Sequence, residues 1–177
     1  NQVYNDTEQA DSGCFVITNT NAFTLDLAGH SITGSNKGTG AAITTPTGTT
    51  AAKLASGILS LHNGANVTLT DSVGDGRIEN TYSTGNISVI LCNYGTLTVN
   101  DGITISGPNG SAIRGICMFS AGESHVTINN AVINAAITFY GFVSSNTSST
   151  LTVNSGTFTG RTNLINGTST AGKSFGS

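Results

Sequence analysis

The sequence predicts an all-β chain wound as a solenoid, a right-handed parallel β-helix of about five coils with three short strands in each coil. Three observations carry this. Five segments, Phe23-Thr-Leu-Asp-Leu, Val67-Thr-Leu-Thr-Asp, Leu97-Thr-Val-Asn-Asp, Val126-Thr-Ile-Asn-Asn and Leu151-Thr-Val-Asn-Ser, repeat one pattern of apolar, Thr, apolar, polar. Their starts are separated by 44, 30, 29 and 25 residues, so the last three intervals suit one coil each and the first carries an extra segment. Each segment is also flanked on both sides by another short strand, with Gly and Asn between them.

The strands preceding the central ones are expected at 14–18, 58–62, 88–92, 114–119 and 137–142. Those following are expected at 31–34, 77–80, 104–107, 132–135 and 157–160. A strand of three to five residues cannot bury its apolar face alone, so successive coils must stack in parallel. The expected core is Ile32, Leu61, Ile78, Leu91, Leu97, Val99, Ile105, Ile128, Ile133, Leu151, Val153 and Phe158. Asn19, Asn63 and Asn93 each precede a central strand by four residues, a place for Asn in the left-handed conformation. Residues 1–177 read as one domain, in which 35–56, rich in Gly, Thr and Ala, is a loop leaving the solenoid. The Gly- and Ser-rich stretch 161–177 reads as a terminal cap or linker.

With these repeats in view, the chain resembles the pectin-lyase-like right-handed β-helix proteins. The phrases Leu25-Asp-Leu-Ala-Gly-His-Ser-Ile-Thr-Gly, Gly95-Thr-Leu-Thr-Val-Asn-Asp-Gly-Ile-Thr-Ile-Ser-Gly and Leu151-Thr-Val-Asn-Ser-Gly-Thr-Phe-Thr-Gly are similar to repeats of secreted bacterial surface proteins, adhesins and phage fibres. The resemblance spans most of 14–160 and implies architecture more than activity, because the scaffold serves lyases, hydrolases, tailspikes, adhesins and passive stalks.

Only 8% of the residues are charged, with a net charge of -3, so hydroxyls and amides must wet the surface. Six Lys and Arg without a basic cluster give no footprint for phosphate backbones, which argues against a nucleic-acid partner. No apolar run reaches the roughly 20 residues of a spanning helix, so no membrane insertion is expected. A first residue Asn1 rather than Met suggests a processed protein or an excised fragment. Cys14, Cys92 and Cys117 have no metal-ligand spacing and read as small buried residues; no metal or cofactor is expected.

Polysaccharide cleavage by enzymes of this fold uses carboxylates, or a carboxylate-bound calcium with a basic residue, on one external sheet, and acid-base catalysis on a glycosidic bond needs two carboxyls about 5 to 9.5 Å apart. Aligning Val67 with Leu97 makes Asp71 and Asp101 equivalent on neighbouring coils, about 4.8 Å apart. They are the weak catalytic candidates, with Asp75, Arg77 and Glu79 nearby; two like charges so placed would raise one pKa, as a general acid requires. Asp is also an ordinary turn residue, and the turn reading is preferred. His30, His62 and His125 sit in no motif and read as surface or turn residues, with Glu123 within reach of His125.

A second constellation is the outward ladder Thr24, Thr68, Thr98, Thr127 and Thr152, followed two residues later by Asp26, Thr70, Asn100, Asn129 and Asn154. Regular hydroxyls and amides can bind sugars, and the Thr array resembles those of β-helical ice-binding proteins. Thr is equally an ordinary external strand residue, and stacked Asn side chains satisfy one another. The third is apolar. With Leu59, Leu61, Val89 and Leu91 inward, alternation turns Ile90 and Cys92 outward, followed by Cys117 with Phe119 and Tyr140 with Phe142. Ile90, Cys117, Phe119, Tyr140 and Phe142 then form an expected interface, with either a copy of the chain or a neighbouring surface protein as partner. A bulge in the register, or cover from 35–56, would remove that face.

The leading functional expectation is a non-enzymatic extracellular, cell-surface or virion-surface domain, a fibre or stalk element that also adheres to glycans. A polysaccharide lyase or glycoside hydrolase comes second and an ice-binding protein third, the last favoured by an uninterrupted Thr sheet.

Overall fold

The structure, a computed structural model, describes residues 2–5, 15–18, 20–35, 57–62, 64–84, 87–109, 112–118, 123–141 and 149–166. Every ordered element among them is a β-strand, and every strand pair is parallel. The result is an all-β, strongly curled parallel sheet compatible with a β-helix-like solenoid.

Strands preceding the repeat are β2 (Phe15–Ile17), β5 (Leu59–Leu61), β8 (Ser88–Cys92) and β11 (Arg114–Met118), which pair in that order and lead onto the last part of β12 (His125–Tyr140). The repeat itself forms β3 (Phe23–Asp26), β6 (Ala65–Thr70) and β9 (Gly95–Val99), then the first part of β12 and of β13 (Thr150–Asn166). On the third side stand β4 (Ser31–Ser35), β7 (Arg77–Asn80) and β10 (Thr104–Ser106), again leading to β12 and β13. Sequence reasoning missed β1 (Gln2–Asn5), which adds one more strand beside β4.

The corner after the central strand is turned by left-handed residues: Ala28 and Gly29, Gly74 and Asp75, then Gly102. Further along, β12 and β13 pass the same corner as unbroken strands, with register shifts from Ile128 to Ala131 and with Asn130 at φ 59°. Pairing of β13 with β12 runs to Asn166, so the stretch read as a tail from 161 begins as strand. Residues 36–56 and 167–177 lie outside the described residues, as do Cys14, Asn19 and Asn63. At the other corner the Asn reading needs correction. Tyr94, not Asn93, takes the left-handed conformation, at φ 58°, and Asn93 is buried beside His62.

Alternation makes the core. In β6 and β9 every second residue is buried, and the stacked rows Val67–Leu97–Val126–Leu151, Leu69–Val99–Ile128 and Ile78–Ile105–Ile133 fill the interior. Ile32, Val153 and Phe158 are only partly buried; Val153 and Phe158 lie on β13, the last described strand of their rows, and Ile32 is followed only by Gln2 of the outermost strand β1.

The sheet of β5, β8 and β11 overturns the expected register. Val89 and Ile90 both belong to the core, as do Leu59, Leu61 and Cys92 of their rows, so Leu91 and not Ile90 lies on the opposite face. Leu91 is buried there rather than in the central core. In β11 the place opposite Val89 is taken by Gly115, where a Cβ would come within 2.6 Å of Ile133 Cγ2; Ile116 beside it, opposite Ile90, is also in the core. Two successive inward positions break the period of two, and a glycine at one of them lets the strands pack that closely.

Candidate functional site

The outer side of the central strands carries an ordered polar array. Thr24 pairs with Thr68, Thr68 with Thr98, Thr98 with Thr127 and Thr127 with Thr152, an unbroken row across five strands. Neighbouring hydroxyls are therefore about 4.8 Å apart, the separation of paired strands. Thr24 is exposed and the others are half-buried.

Beside it runs the amide row. The Asn154 Nδ2 donates to Asn129 Oδ1 at 2.7 Å, and Asn129 Nδ2 donates to Asn100 Oδ1 at 3.1 Å. Each bond consumes one donor and one acceptor, leaving the second N–H of Asn129 and of Asn154 for a ligand or water. The bonds also fix the amides in one orientation, so the row is pre-organised. Asp26 ends this row differently: its carboxylate accepts from the backbone N–H groups of Ala28 at 2.9 Å and Ser72 at 3.0 Å. Hydrogen bonds from Ser72, then from Ala28, hold its pKa below the usual carboxylate value.

A third row, Asn66, Thr96, His125 and Thr150, lies on the same face and was missed by sequence reasoning. Its signal was available, since each member stands two residues before a ladder Thr and alternation sends both to one side. Here Glu123 Oε1 lies 3.1 Å from His125 Nε2, and His125 Nδ1 lies 2.9 Å from Thr150 Oγ1. The expected contact of Glu123 with His125 is therefore made.

The weak catalytic pair has other partners. Asp71 accepts backbone N–H groups of Gly29, at 2.6 Å, and of Gly76. Desolvation pushes its pKa up, but these bonds together with those from Val73 and Gly74 outweigh it, and the net shift is downward. That is the opposite of what a general acid needs. Asp101 accepts from the Gly102 N–H at 2.8 Å and from Asn130 Nδ2 at 2.9 Å. Both carboxylates thus fasten turns, and Arg77 is paired with Glu79 at 3.1 Å. Among the described residues no three His, Cys, Asp or Glu side chains come together as a metal site.

At its described residues the expected apolar interface is not an open face. Ile90 is 0% exposed in the core, and Cys117, though on the outer side with Leu91, is 1% exposed. Tyr140 is half-buried, with the guanidinium of Arg114 stacked 3.4 Å above its ring. Phe119 and Phe142 lie outside the described residues. Cys92 and Cys117 are buried free thiols, and burial pushes the Cys92 thiol up to about 12.

His62 is no surface residue: it is 1% exposed, Asn93 Nδ2 lies 3.3 Å from its Nδ1, and Nε2 has no partner. Desolvation lowers its pKa to about 4, so the ring is neutral at pH 7. No protein-family model, curated protein or solved structure matches the chain.

Proposed function

We propose that this chain is a non-enzymatic extracellular, cell-surface or virion-surface domain, a rigid fibre or stalk element that adheres to glycans through its Thr and Asn face. In this reading the curled sheet is a right-handed β-helix of about five coils, three short strands each, akin to the pectin-lyase-like repeats of bacterial surface proteins, adhesins and phage fibres. The observation that carries the adhesive role is the in-register Thr row beside hydrogen-bonded Asn100, Asn129 and Asn154. Sugar hydroxyls are donors and acceptors at once, and this face offers both in fixed positions. The reading of Asp71 and Asp101 as turn acceptors favours binding over cleavage.

Association with copies of itself or with a neighbouring surface protein belongs to the same proposal, supported at the strand ends rather than on the outer face. Val16 of β2 and Phe23 of β3 are 42% and 39% exposed on terminal strands. Ice binding is a second reading, favoured by the uninterrupted Thr row. Against it, the flanking rows carry Asp26, His125 and Asn side chains rather than a second row of Thr.

Pull-down on insoluble and immobilised polysaccharides tests the proposal, with Thr98→Val and Thr127→Val, which keep shape and remove the hydroxyl. Retention by wild type that falls in both variants supports it. Release of products that disappears in Asp101→Asn assigns the chain to the enzymes instead, and thermal hysteresis without glycan retention assigns it to ice binding.

A further inference from the structure

Among the described residues Arg114 has no counter-charge. It is 8% exposed, and an arginine so buried is ordinarily paired with an anion. The ion pairs among the described residues are Arg77 with Glu79 and Glu123 with His125, neither involving Arg114. Its guanidinium carbon lies 3.4 Å over the Tyr140 ring centroid, Nη1 reaches only Cys117 Sγ at 4.0 Å, and buried Nε has no hydrogen-bond partner. Ser88 is the register partner of Arg114 on the next strand, fully buried, and its Oγ also lacks a partner of hydrogen-bonding geometry.

The thiol does not supply the missing charge. Burial raises the Cys117 pKa, and this outweighs the opposing effects of Arg114 and of Ser88, so the group is a neutral thiol at pH 7. The cluster therefore holds one positive charge, a buried Nε–H without a partner and a Ser88 hydroxyl with no acceptor other than the weakly accepting Cys117 sulfur, on one rung of the outer face of β8 and β11.

We infer that Arg114 and Ser88 form a binding site for a small oxyanion, a carboxylate or a tetrahedral phosphate or sulfate. The planar edge of the guanidinium, held by stacking on Tyr140, would donate to one oxygen through Nε, and the Ser88 hydroxyl would donate to the same anion. The site is separate from the Thr and Asn face and does not depend on its function.

The test is thermal unfolding of the whole chain in acetate, phosphate or sulfate, with chloride adjusted to hold ionic strength constant. A saturable rise in Tm in the millimolar range is expected with at least one anion. A response to acetate alone assigns a carboxylate ligand, and a response to phosphate or sulfate alone assigns a tetrahedral one. Ser88→Ala should weaken the half-saturation concentration at least about threefold. Arg114→Met should abolish the response; if it does not fold, Arg114→Lys, which keeps the charge and loses the planar edge, should weaken it by about tenfold. Absence of a saturable response in wild type, or an equal response in Ser88→Ala and in the Arg114 variant, overturns the inference.

Discussion

The central strands and the strands that precede them come from one repeat, yet their outer faces differ. On β6 and β9 the outward positions are Thr and Asn, so inner and outer residues differ in chemistry and alternation identifies each. On β8 and β11 all five residues are buried, and Leu91 and Cys117 lie on the outer side. A sheet apolar on both faces gives period-two reasoning nothing to hold, and one extra inward residue then inverts the assignments that follow it in the same strand, as at Leu91 and Cys92. The lesson is that a parallel strand's facing can be read from sequence only where one of its faces is wet.

Ile90→Asp breaks this comparison most sharply. An unpaired carboxylate in the core should cost roughly 5 kcal/mol or more and prevent folding. If Ile90 faced water, the same change would stay within about 0.5 kcal/mol, so urea unfolding of the two chains decides the register. Leu97→Ala and Leu91→Ala come next, each expected to cost about 2 to 5 kcal/mol. Equal losses would make the outer layer at Leu91 as tightly packed as the central core; a loss under about 1 kcal/mol at Leu91 would show a loosely covered face.

His62 sharpens the comparison at the corner joining the two sheets. Its folded pKa, about 4, lies below the ordinary histidine value of 6.5, so the unfolded chain binds the extra proton first. Stability is full above about pH 6.5, falls as pH drops toward 4 and levels off below it. The interval corresponds to roughly 3 kcal/mol, read as a fall in the urea midpoint. His62→Gln should remove that part of the pH dependence.

The smallest effect is expected on the wet face. Asn129→Ala removes a donor and an acceptor from the amide row and should cost about 0.5 to 1.5 kcal/mol, because exposed partners return to water. Its larger consequence should be on glycan retention. Loss of binding with little change in Tm would separate the face's function from its structural part.

The repeat made strand positions, parallel stacking and the Thr ladder legible, because apolar, Thr, apolar, polar fixes both facing and register wherever it recurs. Asp71 and Asp101 could be aligned but not understood, since their partners Gly29 and Asn130 stand 42 and 29 residues away in sequence. Burial of His62, the two successive inward residues Val89 and Ile90 and the isolation of Arg114 were decided by tertiary structure. Each depends on what packs against a residue from a neighbouring winding. The local pattern determines which residues can point inward together, whereas desolvation and unmet charge arise only once distant strands close around them.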